Sequence, residues 1–326
     1  MDDLLKLLSS AVDFAPSYRP DLCLAVKQSV AACSVCRDVC PHDAIIIRRQ
    51  VEIDRVDCTG CGLCVRGCPS YALDAHVQVQ PTPELRCGQV DGDATSVHCL
   101  ARLGASDMLR LAGENLRVTL ARGDCSDCPI GTEDTVTAIE QEVGEALALA
   151  RARDRDLEIE LHRMESLDRS LHQKKLSRRD LFRRGWRGLQ DAAAEALVSL
   201  DLGNEEDELP TELSRRFRIL KGGDFEAWSS VPWVLPRVTD GCIMCPVCTQ
   251  VCPTGAFSRE FEPEDREGTV LILEPERCMG CEACVHACPV KVIELDDAVT
   301  WGELSGGAME ACYKPPDPGT TETVSR

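Results

Sequence analysis

Between Cys242 and Pro289 the chain writes one pattern twice: Cys242-x2-Cys245-x2-Cys248-x3-Cys252-Pro253, then Cys278-x2-Cys281-x2-Cys284-x3-Cys288-Pro289. Each run closes on a proline, which lacks an N–H to donate and fixes its own φ, so the local helical turn ends there. Disulfides account poorly for this pattern. The N-terminus, Met-Asp-Asp-Leu-Leu-Lys-Leu-Leu-Ser-Ser, is too acidic and too briefly apolar for a secretory signal. Twenty-one cysteines in a chain expected to be cytoplasmic point to metal instead. Structural zinc takes closed four-ligand sites and gives no reason for two interlocked runs with Cys-Pro ends.

The two runs resemble the ligand sequence of bacterial-type ferredoxins that carry two [4Fe–4S] clusters. In that family three closely spaced cysteines wrap one cubane and the fourth ligates the other. The resemblance implies one cluster on Cys242, Cys245, Cys248 and Cys288, and a second on Cys278, Cys281, Cys284 and Cys252. It also implies an α+β ferredoxin-like module over 231–300 and a role in electron transfer.

A second module of the same kind is expected over 1–80. Residues 1–20 begin it with a short amphipathic helix (Leu4, Leu5, Leu7, Leu8, Val12) ending near Pro16. Its later run is complete, Cys58-x2-Cys61-x2-Cys64-x3-Cys68-Pro69, but its earlier run reads Cys33-x2-Cys36-x3-Cys40-Pro41, with Val30 where a first cysteine is expected. The crossed rule gives one full set, Cys58, Cys61, Cys64 and Cys40, and one short set, Cys33, Cys36 and Cys68. The short set takes a ligand from elsewhere, holds a three-iron centre, or holds nothing. Cys23 is the candidate fourth ligand; a lone cysteine amid Leu22, Leu24 and Val26 also reads as a small buried hydrophobe. Ala44–Ile47 and Val51–Ile53 predict a hairpin between the half-motifs, and the order recurs at Ala256-Phe257 and Val270–Leu273.

Residues 81–168 change character after Pro81-Thr82-Pro83. Strands are predicted at Ser96–Cys99, Leu116–Leu120 and Leu157–Leu161, with helices at Ser106–Gly113 and Thr135–Arg153, a small α/β domain with a parallel sheet. Its cysteines, Cys87, Cys99, Cys125 and Cys128, cluster at or after strand ends, where open α/β sheets hold ligands. The stretches Val97–Leu103 and Arg122–Cys128 resemble the small iron–sulfur (delta) subunit of methyl-viologen-reducing hydrogenase and heterodisulfide reductase complexes, which implies a [2Fe–2S] cluster. Ala101 replaces that family's usual glycine and the last two cysteines stand closer together, so a [4Fe–4S] cluster, a structural zinc, a Cys125–Cys128 dithiol and free thiols all remain open. His98 is expected to alternate outward from its strand.

A helical connector is expected over 169–230, with Ser177 capping a helix through Leu181, Phe182, Trp186 and Leu189. The basic cluster Arg178, Arg179, Arg183, Arg184 and Arg187 reads as a solvated face or a docking site for an acidic partner. Residues 301–326 are expected to be a disordered tail. The net charge of −19 and 4% aromatic content argue against nucleic acid, and no apolar run is long enough to span a membrane. No Gly-x-Gly-x-x-Gly follows a strand, so no nicotinamide or flavin site is expected. The whole reads as a polyferredoxin: ferredoxin-like modules at both ends, flanking an α/β four-cysteine domain and a connector. It would relay electrons to or from a larger redox enzyme or carrier, and hold three to four [4Fe–4S] clusters besides the central site. A wiring subunit of a hydrogenase, heterodisulfide reductase or molybdopterin-type complex is the alternative, and a cluster-based sensor or assembly factor a further one.

Overall fold

The computed structural model describes residues 14–29, 32–92, 94–114, 116–165, 209–264 and 266–316. The amphipathic segment before residue 14, the Ser177–Leu189 helix with its arginine cluster, and residues 317–326 lie outside the described residues.

At the N-terminal end the pieces are short, because cysteine loops interrupt every helix and strand. Strand β1 (Ser17–Tyr18) is followed by helix α1 (Leu24–Lys27) and helix α2 (Val35–Asp38). The expected hairpin forms: β2 (Ile45–Ile47) pairs antiparallel with β3 (Val51–Ile53), burying Ile45 and Val51. Helix α3 (Leu63–Arg66) and strand β4 (Leu73–Asp74) complete the segment, with β4 paired antiparallel to β1.

The central segment is built on one parallel four-stranded sheet. Its strands are β5 (Glu84–Cys87), β6 (Thr95–Val97), β7 (Arg117–Arg122) and β8 (Glu158–Arg163), in the spatial order β6-β5-β7-β8. Helix α4 (Ala105–Ala112) connects β6 to β7, and α5 (Asp134–Ala152) connects β7 to β8. Leu85, Val118 and Leu120 from the sheet meet Met108, Leu111, Ile139 and Leu149 from the helices in a buried core. The sheet was predicted without β5. Glu84–Cys87 is too short and too polar to register as a strand, yet it lies at the centre of the sheet, between β6 and β7.

Helix α6 (Thr211–Lys221) leads into the C-terminal segment, whose elements are β9 (Ser230–Val231), β10 (Leu235–Val238), α7 (Val247–Val251), β11 (Phe257–Phe261), β12 (Thr269–Leu273), α8 (Ala283–Ala287) and β13 (Ile293–Asp296). The pairs β10–β13 and β11–β12 are both antiparallel. The expectation of a disordered tail from residue 301 fails as far as Lys314. Strand β14 (Val299–Thr300) pairs with β9, and Thr300 and Glu303 form a capping box that starts helix α9 (Trp301–Ser305). Strand β15 (Met309–Lys314) then adds to β12 as a third strand. Polar composition suggested disorder here; edge pairing and the wholly buried Leu304 override it.

A buried ionic cluster joins helix α6 to the N-terminal and central segments. Arg216 on α6 binds Glu212 at 2.9 Å, Glu142 on α5 at 3.4 Å, and Glu145. Glu142 also pairs with Arg66 of α3 at 3.2 Å and accepts the Ala105 N–H at 2.8 Å. Glu212 accepts from the Ser106 backbone N–H at 3.0 Å and from its hydroxyl at 2.6 Å. Burial works to raise the Glu212 carboxyl, but Arg216 and Ser106 outweigh it and hold its pKa below the usual carboxylate range. For Glu142 burial wins over Arg66 and Arg216, and its pKa rises. Arg216→Met would strand these carboxylates without their shared cation. We expect it to lower stability by about 3–5 kcal/mol, read as a fall in the denaturant midpoint of the full chain.

Candidate metal centres

The cysteines converge into separate sets, and the turns between elements do the converging. In the C-terminal segment, α7 and α8 pack together and carry their cysteine loops with them. Cys252, Cys278, Cys281 and Cys284 line one cavity of about 350 Å3. Cys242, Cys245, Cys248 and Cys288 line another of about 360 Å3. Each cavity takes three cysteines from one run and the fourth from the other, the crossed arrangement expected from the sequence. In the N-terminal segment Cys40, Cys58, Cys61 and Cys64 line a cavity of about 400 Å3 together with Ile45 and Ile53.

Cys23 lies beside the short set. Cys23 caps the start of α1, is buried, and shares a core with Cys36 and Cys68 and with the adjoining Cys33. Burial and then Cys68, Cys33 and Cys23 push the Cys36 thiol up to about 12. The Cys33 thiol is raised chiefly by burial, with Cys68 and Cys23 adding to it. Burial raises the Tyr18 phenol too, reinforced by a hydrogen bond with Cys23.

The central cysteines also come together. The order β6-β5-β7-β8 reverses direction between β5 and β7, and ligands of open α/β sheets sit beyond the carboxyl ends of strands at such a switch point. Cys87 is the last residue of β5, Cys99 follows β6, and Cys125 and Cys128 follow β7. These four line a cavity of about 370 Å3 with Leu100, Ile130 and Ile139. Burial drives the Cys99 thiol up to about 12, with Cys61, Cys125 and Cys87 nearby.

Backbone N–H groups point at several of the sulfurs. Ala72 donates to Cys68 Sγ at 3.3 Å, Gly123 to Cys87 at 3.4 Å, Ile130 to Cys128 at 3.4 Å and Ala256 to Cys252 at 3.2 Å. Such donors stabilise thiolate and tune the potential of a sulfur-bound cluster. Among the described residues no three His, Cys, Asp or Glu side chains converge tightly enough to hold a single metal ion. A zinc ion needs all its sulfurs about 2.3 Å away. Sulfurs spread round a cavity fit a polynuclear centre, whose positive metals would also offset the burial that now drives these thiols to high pKa.

The sets are neighbours. Cys99 of the central set lies within electrostatic reach of Cys61, Cys64 of Cys36, and Cys281 of Cys68. Packing supports each approach. The 3-10 turn Leu100–Arg102 lies on α3, α2 packs on α3, and α1 touches α7. Thr59 Oγ1 donates to the Ile130 carbonyl at 2.6 Å, and His42 Nε2 also bonds that oxygen, at 2.9 Å. His98 does not alternate outward to solvent as expected. Its ring stacks on Phe14 at 3.7 Å, and Nε2 hydrogen-bonds the Thr59 carbonyl at 2.7 Å. Burial lowers its pKa, which favours the neutral ring. The sequence left Cys312 outside every motif; on β15 it lies beside Cys242, and burial plus that neighbour push its thiol up to about 11.

Two known families match the chain: a 4Fe-4S dicluster domain over residues 241–292, and a 4Fe-4S binding domain over 51–74. The chain thus carries ferredoxin-type 4Fe–4S domains near both ends, and it is homologous to polyferredoxin subunits. It is 36% identical over 86 residues to the polyferredoxin-like subunit of an aliphatic sulfonate oxidoreductase from Pyrococcus furiosus, covering 24% of this chain and 47% of that one. It is 43% identical over 70 residues to the polyferredoxin protein MvhB of Methanothermobacter marburgensis, covering 20% and 17% respectively. It is 44% identical over 48 residues to the electron transport protein HydN of Escherichia coli, covering 15% and 23%. The chain therefore spans less than half the length of each of these relatives. No solved structure matches it. No helix among the described residues is long and apolar enough to cross a membrane.

Gly62, between Cys61 and Cys64, has φ +90°, and a Cβ there would lie 2.8 Å from the Ala101 carbonyl oxygen and 2.9 Å from the Arg102 nitrogen. Gly62→Ala combines a disfavoured backbone with a clash where the Cys61 loop meets the Cys99 turn. We expect it to cost about 1–3 kcal/mol, measured as a lower denaturant midpoint.

Proposed function

We propose that this chain is an iron–sulfur electron-transfer protein in which the cysteine sets form one file of centres. The order is Cys87/Cys99/Cys125/Cys128, then Cys40/Cys58/Cys61/Cys64, then Cys23/Cys33/Cys36/Cys68, then Cys252/Cys278/Cys281/Cys284, and last Cys242/Cys245/Cys248/Cys288. The observation that carries this reading is the succession of sulfur neighbours across segment boundaries, Cys99 by Cys61 and Cys68 by Cys281. Iron–sulfur clusters supply one-electron exchange over a wide span of potentials, about −700 to +450 mV. The protein's part is to hold the thiolates, keep water from them, and aim N–H donors at sulfur. The central cavity brings four cysteines together, a ligand set that suits either the [2Fe–2S] cluster implied by the resemblance or a [4Fe–4S] cluster.

Cys23 is the fourth ligand of the short set in this reading, and the N-terminal module holds two clusters. The partner is a larger oxidoreductase, as the names of the relatives suggest, with this chain as its wiring component; copurification of a stoichiometric partner would separate this from a free carrier.

Anaerobic iron and sulfide analysis with EPR of the dithionite-reduced protein tests the proposal. Cys23→Ala should lose one reducible cubane relative to wild type. An unchanged reduced spectrum, with a three-iron signal on oxidation, would remove Cys23 from the ligand set. Zinc in place of iron would overturn the electron-transfer reading itself.

A further inference from the structure

Arg102 is a buried cation that forms no ion pair with any carboxylate among the described residues. Only 9% of it is exposed. Its guanidinium is held by three backbone carbonyls: Nη1 donates to Phe14 at 2.7 Å and to Gly60 at 3.0 Å, and Nη2 donates to Ala75 at 2.7 Å. The Phe14 ring lies 5.9 Å from the guanidinium and carries the His98 stack on its face. Two partly buried arginines close by do have carboxylates: Arg66 has Glu142, and Arg216 has Glu142 and Glu212.

A guanidinium cannot shed its proton to escape burial as a lysine can, so its charge must be answered nearby. Carbonyl dipoles orient it but do not neutralise it. The groups that surround it are cysteine sulfurs, which would carry the answering negative charge as cluster ligands: Arg102 lines the cavity of Cys40, Cys58, Cys61 and Cys64, and its own turn starts from Cys99 of the central set. It stands where the Leu100–Arg102 turn lies on α3, at the junction between those two sets.

We infer that Arg102 is the fixed counter-charge of the two cysteine-held centres on either side of it, and that it raises the reduction potential of both. This rests on the proposed iron–sulfur reading. Adding an electron increases the negative charge of a cysteine-ligated centre, and a cation held beside it in a medium of low dielectric favours that added charge. The three carbonyls fix the cation in place, so no reorganisation accompanies electron arrival. His98, stacked on Phe14 and hydrogen-bonded to the Thr59 carbonyl, packs at the same junction.

Redox titration of the iron-replete full chain, followed by EPR, tests this. Arg102→Gln should leave iron and sulfide contents unchanged. It should lower the reduced-to-oxidised ratio of the centres flanking Arg102 about tenfold at a fixed potential, or ~59 mV for a one-electron couple, while the remaining signals keep their midpoints. Arg102→Lys should restore most of the difference. Unmoved midpoints in an iron-replete Arg102→Gln protein would overturn the inference, as would an equal shift in Arg102→Lys or a uniform shift of every signal. Should Arg102→Gln lose iron, Arg102→Lys decides. Wild-type iron and midpoints uphold the role of charge, and loss of iron there too would make Arg102 a purely structural clamp. Absence of iron from the wild type is the separate outcome that would sink the underlying electron-transfer reading.

Discussion

Everything in this molecule depends on the ionic cluster around Arg216 and Glu212. One hydrophobic core runs from Cys61 to Leu304, and the ionic cluster adds directional contacts to it where the N-terminal and central segments meet α6. Helix α6 sets two charges into a crevice formed by α3, α4 and α5, where Arg216 meets Glu142 of α5 and Glu212 meets Ser106 of α4. A buried ion pair adds little net stability, but a mispaired one costs several kcal/mol, so such a cluster selects one arrangement sharply. Electron exchange between fixed centres needs that selectivity, because the separation of neighbouring sites must not drift.

The central sheet contributes in another way. Its strand order creates a crevice at the carboxyl ends of β5 and β7, the position that α/β proteins commonly give to nucleotides. Here the crevice is lined by sulfur instead, and its mouth faces the N-terminal cysteine loops. The α/β segment is thereby a scaffold that presents one more cysteine set to the others, and the loop carrying Thr59 is pinned to it through the Ile130 carbonyl.

Much of this was legible in the sequence because cysteine spacing encodes geometry directly. The crossed sets at Cys242–Cys288 and the hairpins between half-motifs appear where the spacing placed them, as do the helices α4 and α5. Cys23 was a candidate because three sulfurs lacked a fourth; its burial beside Cys36 rests on a long-range fold that no local pattern records. Strand β5 was missed since Glu84-Leu85-Arg86-Cys87 owes its conformation to neighbours on both sides. The ordered end of the chain was missed because β15 is made by pairing rather than by propensity. Arg102 drew notice only as part of a motif; its lack of a carboxylate partner is visible only once the chain is folded.

The crossed sets also constrain how the protein comes to be made. Synthesis delivers Cys242, Cys245 and Cys248 well before Cys288, and Cys23 well before Cys68, yet each cavity is bounded by its last sulfur as much as by its first. On the proposed ligand assignment, no cavity is closed until the polypeptide has passed its final cysteine and the two halves have folded against each other. Iron would therefore reach finished pockets rather than emerging chain, and the order of maturation would follow the order in which the segments leave the ribosome.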